Sequence, residues 1–72
     1  MEGNRLIGSF FSPGRGAMHI LVRPDRHVEV VANSGAVVED EPLDASHVLT
    51  LDPEELPTFT SLLRYAGTFV NP

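Results

Sequence analysis

The chain has 72 residues and a net charge of −5 at pH 7, with 42% hydrophobic residues and no cysteine. This length supports one small domain with a thin core, because such a chain buries only about 60% of its unfolded surface. The hydrophobic fraction argues against disorder, and the lack of cysteine excludes disulfides and thiolate metal sites. A thin core without such links favours self-association or a protein partner, either of which would cover apolar surface.

Charge is unevenly distributed along the chain. Residues 1–26 hold four arginines against two acids, a net charge of +2, whereas residues 27–72 hold one arginine against eight acids, a net charge of −7. We expect the acidic part to be repelled by phosphate backbones and attracted to basic proteins. No secretory signal or membrane-length apolar stretch is visible, so the expected location is cytoplasmic.

The N-terminal segment is rich in glycine. Residues 1–16 contain four glycines and one proline around Leu6–Ile7 and Phe10–Phe11. They predict an N-terminal arm or a short edge strand, followed by a proline- and glycine-containing turn at Ser12–Gly16. Residues 17–72 are expected to form the single domain proper.

Three strand-like segments follow this turn. They are Ala17–Arg23, Val28–Ala32 and Ala36–Glu39. Pro24-Asp25 suits the central positions of a tight turn, and Asn33–Gly35 suits a short hairpin connection with Gly35 at positive φ. Short turns between strands predict an antiparallel meander.

An acidic loop separates the meander from the next strand. Residues 40–46 are polar and are interrupted by Pro42, and His47–Leu51 again has strand composition. The loop is therefore predicted to lie outside the sheet.

The C-terminal segment predicts a helix. Asp52 can cap it, Pro53 suits the first helical position, and Glu55 stands where a capping box places its glutamate. Pro57 would lie inside a helix that begins at Pro53, beyond the first turn where proline is tolerated. It therefore predicts a kinked or 3₁₀ first turn. Gly67 is the predicted stop.

The helix carries one apolar stripe. Leu56, Phe59, Leu63 and Ala66 recur at helical spacing with Leu62 beside them, and Arg64 lies in the predicted last turn. We expect this stripe to pack on the sheet. The sequence thus predicts an α+β fold: a small antiparallel meander sheet of three to five strands, with one C-terminal helix packed on one face.

No group of residues predicts catalysis, a cofactor or a metal site. His19, His27 and His47 are separated by spacings that do not suit zinc, and no phosphate-binding loop or nucleophile elbow is present. The histidines are interpreted as half-exposed residues of the sheet.

Two other groups could bind macromolecules. Glu39, Asp40, Glu41 and Asp44 form an acidic cluster, for which a solvated loop is favoured over a basic-partner surface, and both over a metal site. Phe10, Phe11, Arg15 and Arg23 could contact single-stranded nucleic acid by stacking and phosphate pairing. For the two phenylalanines, a place in the core or a dimer interface is the favoured interpretation.

Residues 28–70 carry short motifs in a recognisable order. They read Val28-Glu29-Val30-Val31, Gly35-Ala36-Val37-Val38 and Leu49-Thr50-Leu51-Asp52-Pro53-Glu54-Glu55-Leu56, followed by Phe59, Leu63-Arg64, Gly67 and Phe69. This series resembles a small, actinomycete-rich family of domains of unknown function that includes BldB-type developmental proteins. Its members often lie beside helix-turn-helix regulators of the WhiJ type.

The chain departs from that family at several places. Leu56 replaces a usual tryptophan, and Glu39-Asp40-Glu41 stands where Arg-Asp-Ser is usual. The tryptophan-lysine-serine-serine opening is missing, and Met18–Arg23 is an additional strand-like segment.

The resemblance implies a non-enzymatic regulatory companion that binds a DNA-binding protein, or itself, and changes promoter occupancy. The Glu39–Asp44 loop and the exposed face around Arg64 are the candidate contacts with a basic partner. One alternative is an acidic, phage-type inhibitor of a nucleic-acid enzyme. A second alternative is the single-stranded nucleic-acid-binding module described above.

Overall fold

The computed structural model describes residues 3–71 and has an α+β fold, as predicted. No helix within residues 3–71 has the length and apolar character needed to cross a bilayer. The elements are β1 (Arg5–Ser12), β2 (Gly16–Val22), β3 (Val28–Asn33), β4 (Val37–Val38), β5 (Glu41–Pro42), β6 (Ser46–Leu51) and α1 (Leu56–Val70).

The main sheet has four antiparallel strands in the order β1-β2-β3-β6. Residues 5–12 are an edge strand of this sheet, joined to β2 by a turn in which Arg15 N–H donates to Ser12 O (3.1 Å). Gly16 then takes φ +91°, a left-handed conformation that suits glycine. The predicted turn at Ser12–Gly16 is therefore confirmed.

The β2–β3 connection is a tight turn centred on Pro24 and Asp25, as predicted. Arg26 N–H donates to Arg23 O (2.9 Å), which closes the turn, and Arg26 has φ +72°. Proline fixes the first central φ, and the following left-handed residue returns the chain to the antiparallel register.

The predicted strand Ala36–Glu39 does not join the main sheet. Its Val37–Val38 pairs instead with Glu41–Pro42, which lies inside the segment predicted as a loop. Gly35 has positive φ, as predicted, but the Asn33 side chain accepts its N–H (2.7 Å) and turns the chain away from β3. The place beside β3 is taken by β6.

Strand register defines two faces of the main sheet. The polar sheet face carries Ser9, His19 and Val31 in register, with Asn33 farther along β3. The apolar sheet face is the opposite surface of β2, β3 and β6, because side chains alternate along a strand. Its members are Met18, Ile20, Val22, Val28, Val30, Ala32, Leu49 and Leu51.

The core is small. Among the described residues, the buried hydrophobic side chains are confined to the main sheet, and Leu21 is the most completely enclosed of them. The buried set consists of Met18, Leu21, Val31, Ala32 and Leu51.

The helix is not packed across the sheet, in contrast to the expectation. No residue of α1 is buried, and the predicted stripe residues Leu62 and Leu63 are 63% and 61% exposed. Near the start of the helix, Phe59 and Leu62 line one apolar depression together with Leu51 of the sheet. The amphipathic pattern correctly predicts a helix, but within residues 3–71 most of its apolar stripe is left exposed.

The helix boundaries also differ from the prediction. The helix begins at Leu56 with Glu55 at the N-cap position, so Pro57 falls in the first turn, where proline is tolerated. Glu55 Oε1 accepts the N–H of Asp52 (2.8 Å), so half of the expected capping box forms. Gly67 lies inside the helix, which continues to Val70, because Asn71 supplies the closing N–H to Gly67 O (2.8 Å).

We predict that Gly16→Ala lowers the free energy of unfolding by about 2–4 kcal/mol. A methyl group there would lie 2.7 Å from the backbone oxygen of Asn33, and the +91° φ disfavours any side chain. Urea unfolding followed by circular dichroism measures the change. Gly14→Ala in the same turn is the control, because a methyl group at Gly14 meets nothing within 4 Å. Equal effects of the two substitutions would contradict this account.

Candidate interaction surface

A buried histidine joins three strands on the polar sheet face. His19 is 2% exposed, and its Nδ1 lies 2.7 Å from Ser9 Oγ while its Nε2 lies 2.6 Å from Asn33 Oδ1. Because the amide oxygen can only accept, Nε2–H donates to Asn33, and Nδ1 shares a hydrogen bond with the Ser9 hydroxyl. We call these three residues the Asn33 network.

The Asn33 side chain extends this network into the next segment. Its Oδ1 also accepts the N–H of Gly35 (2.7 Å), and its Nδ2 donates to Ala36 O (2.8 Å) and Leu43 O (3.0 Å). One amide therefore ties the sheet to both ends of the segment that contains β4 and β5. We interpret the Ser9–His19 pair as part of this scaffold, since both ring nitrogens of a buried imidazole are used within it.

The segment held in this way is an acidic hairpin. We define the acidic hairpin as residues 37–44, whose carboxylates are those of Glu39, Asp40, Glu41 and Asp44. All four acids are exposed. Glu39 and Asp40 have φ +50° and +64° and form the two-residue turn between β4 and β5, with Asp44 also at +53°. Two left-handed residues in sequence match a type I′ turn, whose twist suits an antiparallel pair.

A cleft of about 230 Å³ separates the acidic hairpin from the polar sheet face. Leu21, Glu29 and Val31 contribute from the sheet, and Glu41 and Pro42 contribute from the hairpin. Glu29 and Glu41 therefore place carboxylates on both sides of the cleft, and Asn4, Ala45 and His47 complete its lining. Such a cleft suits a cationic side chain with an aliphatic stem, such as lysine or arginine.

A second titratable group lies where the helix leaves the sheet. His27 Nε2 lies 2.6 Å from Asp52 Oδ1, its Nδ1 lies 3.2 Å from Asp25 Oδ1, and Asp25 also pairs with Arg23 (2.7 Å). The strand register explains why His27 lies beside Asp52. Val28 pairs with Leu51, and His27 and Asp52 are the residues next to this pair at the end of the two strands. We call His27, Asp25 and Asp52 the clamp, because they join the turn between β2 and β3 to the segment between β6 and α1.

The clamp shifts two pKa values. Desolvation alone would lower the pKa of His27, but its bond to the Asp25 carbonyl and the charges of Asp25 and Asp52 outweigh it, so the pKa is raised above 6.5. The N–H of His27 donates to Asp25 (3.1 Å) and lowers the pKa of Asp25 below 3.8, assisted by the Arg23 charge against an opposing desolvation.

The three histidines do not form a metal site. His19 and His27 belong to separate networks, and His47 Nε2 contacts Thr50 Oγ1 (2.7 Å). Within residues 3–71, no three histidine or acidic side chains converge in a way that could hold a metal ion. Their interpretation as half-exposed sheet residues is wrong for His19, which is fully enclosed.

The candidate nucleic-acid residues do not share one surface. Phe10 and Phe11 are 54% and 72% exposed, but as consecutive strand residues they point to opposite sides of β1. Arg15 lies in the β1–β2 turn, whereas Arg23 follows the far end of β2 and pairs with Asp25.

Four of the five residues predicted to bind a protein partner lie together in the structure. The four acids share the acidic hairpin, whereas Arg64 lies on α1 and is exposed. Sequence reasoning missed His19 and Asn33, which hold the hairpin in place. The available signal was an asparagine directly before Ser-Gly, a position from which its side chain can bind the turn backbone.

Comparison with known proteins gives no relative: no protein-family model, curated protein or solved structure matches this chain. The resemblance to BldB-type proteins therefore stays a prediction.

We predict that Asn33→Ala lowers the free energy of unfolding by about 2–3 kcal/mol, because it leaves the buried N–H of His19 without an acceptor and frees the hairpin. Ser34→Ala, at the exposed neighbouring position, should change it by less than about 0.5 kcal/mol. Urea denaturation measures both. An Asn33→Ala protein as stable as the Ser34→Ala protein would refute the role of the network.

We also predict a pH-dependent stability that originates in His27. Its folded pKa is raised, so its contribution is complete below about pH 6.5 and is lost as pH rises through the folded value. The free energy of unfolding should therefore fall as the pH is increased through this range, and His27→Gln should remove that fall. His47→Gln, which removes an imidazole bonded to a threonine hydroxyl, is the matched control. An unchanged pH profile for His27→Gln would contradict the clamp.

Proposed function

We propose that this protein is a non-enzymatic small regulatory protein of the cytoplasm that acts by binding another protein. Its proposed partner is a DNA-binding transcriptional regulator of the helix-turn-helix class. The observation that carries the proposal is the acidic hairpin, which holds four exposed carboxylates beside a cleft that Glu29 and Glu41 also line.

The hairpin is well suited to recognition because its shape is fixed before binding. The Asn33 amide holds its two ends through Ala36 O and Leu43 O, and the left-handed Glu39 and Asp40 fix the tip. A fixed loop loses less conformational entropy on binding than a flexible one does.

The charge of the surface selects the class of partner. Proteins that bind DNA present lysine and arginine to phosphates, and these side chains complement exposed carboxylates. A protein that occupies the basic surface of a regulator would compete with its operator DNA. The predicted resemblance to companions of helix-turn-helix regulators supports the same choice.

The acidic, phage-type inhibitor remains the alternative, because the same carboxylates could mimic DNA to a polymerase or nuclease. The nucleic-acid module has less support. Its phenylalanines point to opposite sides of an edge strand, and Arg23 is already paired with Asp25.

We predict that Glu41→Lys weakens binding to a helix-turn-helix regulator of the WhiJ type by about tenfold, because an attractive charge contact is lost and a repulsive one replaces it. Isothermal titration calorimetry with the purified regulator measures the affinity. Glu54→Lys is the matched control, since it makes the same charge change at an exposed site outside the hairpin.

Three outcomes would count against the proposal. Equal affinities of the Glu41→Lys and Glu54→Lys proteins would exclude the hairpin as the contact. Failure of the regulator to bind, with capture of a purified polymerase or nuclease, would favour the inhibitor. Salt-sensitive binding of a single-stranded oligonucleotide, lost in Phe10→Ala and Phe11→Ala, would favour the nucleic-acid module.

A further inference from the structure

The single chain exposes more surface than a folded monomer of its size. Its accessible area is 5337 Å². A compact monomer of 7.8 kDa exposes about 4,400 Å². The excess of about 900 Å² is similar to the area that one partner contributes to a standard protein–protein interface, about 800 Å².

The shape of the chain explains the excess. The Cα radius of gyration is 13.2 Å, compared with about 11 Å for a compact domain of this length. The smallest principal extent is only 15 Å. Stable domains bury the apolar face of a sheet under a second layer, and this chain supplies a complete second layer on neither face.

The apolar sheet face lacks its cover at the centre. Ile20, Val30 and Leu49 lie in register across β2, β3 and β6 and are only half-buried. Phe10 extends the same face onto β1 and is 54% exposed. These side chains form a continuous apolar strip across the sheet.

The helix presents the complementary layer. At 100° per residue its apolar side chains span about 140° of the circumference, and all of them except the half-buried Leu56 are exposed. Its length of about 22 Å is close to that of the central strands. The helix stripe consists of Leu56, Phe59, Leu62, Leu63, Ala66, Phe69 and Val70.

We propose that the partner of these two surfaces is a second copy of this chain. The helix stripe of each copy lies across the apolar sheet face of the other, in an isologous dimer. Each chain holds one sheet face that is only half-buried at its centre and one exposed helix stripe, so a two-fold exchange covers both surfaces.

Charge permits this contact despite the net charge of −5 on each copy. Residues 56–70 contain no aspartate or glutamate, and Arg64 is the only charge among them. The acidic hairpin lies on the side of the opposite, polar sheet face. Two copies can therefore meet through apolar surface while the carboxylates of their acidic hairpins remain in solvent and available to another protein.

The first test measures mass with the protein alone, so that its result does not depend on the proposed regulator. Sedimentation equilibrium at micromolar concentration should give twice 7.8 kDa. Leu63→Glu should shift the mass to that of one chain, because a carboxylate cannot be buried unpaired in the interface. Ser61→Glu adds the same charge on the polar side of α1 and should leave the dimer intact.

Because Leu63 is 61% exposed in the single chain, Leu63→Glu should leave its fold unchanged. Circular dichroism of the dissociated variant checks this directly. A monomeric parent protein, or a dimer that survives Leu63→Glu, would overturn the proposal.

The second test examines the arrangement and uses the absence of native cysteine. Chains with Val30→Cys are mixed with chains carrying Leu62→Cys and then oxidised. A disulfide between the two variants is expected, because helix and sheet of different copies meet. A disulfide only between two Leu62→Cys chains would show helix–helix pairing and would overturn the exchange.

Discussion

The position of the acidic hairpin depends on one side-chain amide. Asn33 satisfies the buried His19 with its oxygen and holds Ala36 and Leu43 with its nitrogen, so the sheet and the hairpin share one hydrogen-bond network. A buried imidazole without these partners would be costly, since an unpaired polar group in a small core loses its hydration without compensation. The network therefore gives a thin domain a defined charged loop on one face.

The two faces of the sheet have different physical properties. The acidic hairpin lies across a cleft from the polar sheet face and carries the carboxylates of the proposed regulator contact. The apolar sheet face is only half-buried at its centre, and the helix stripe is largely exposed. Electrostatic attraction to a basic protein and hydrophobic burial against a second copy use separate surfaces. The two interactions can therefore coexist, and a dimer would present two acidic hairpins to its partner.

Much of the local structure was predictable because its causes are local. Pro24-Asp25 fixes a turn through the φ of proline, Gly35 accepts positive φ, and alternating valines mark a strand that pairs with its neighbours. The hairpin was not predictable in this way. Its Glu39 and Asp40 both adopt the left-handed conformation, which aspartate takes occasionally but for which glutamate has no propensity.

The sequence by itself determined the strands, the tight turns, the amphipathic helix and the segregation of acidic residues, because each follows from side-chain type and spacing. Only the tertiary structure decided that His19 is buried, that Asn33 ties the hairpin to the sheet, and that the helix stripe is left exposed. Periodicity shows that a helix has an apolar side. Whether that side meets its own sheet depends on the direction in which the link at Asp52 leaves β6, which His27 and the surrounding register fix.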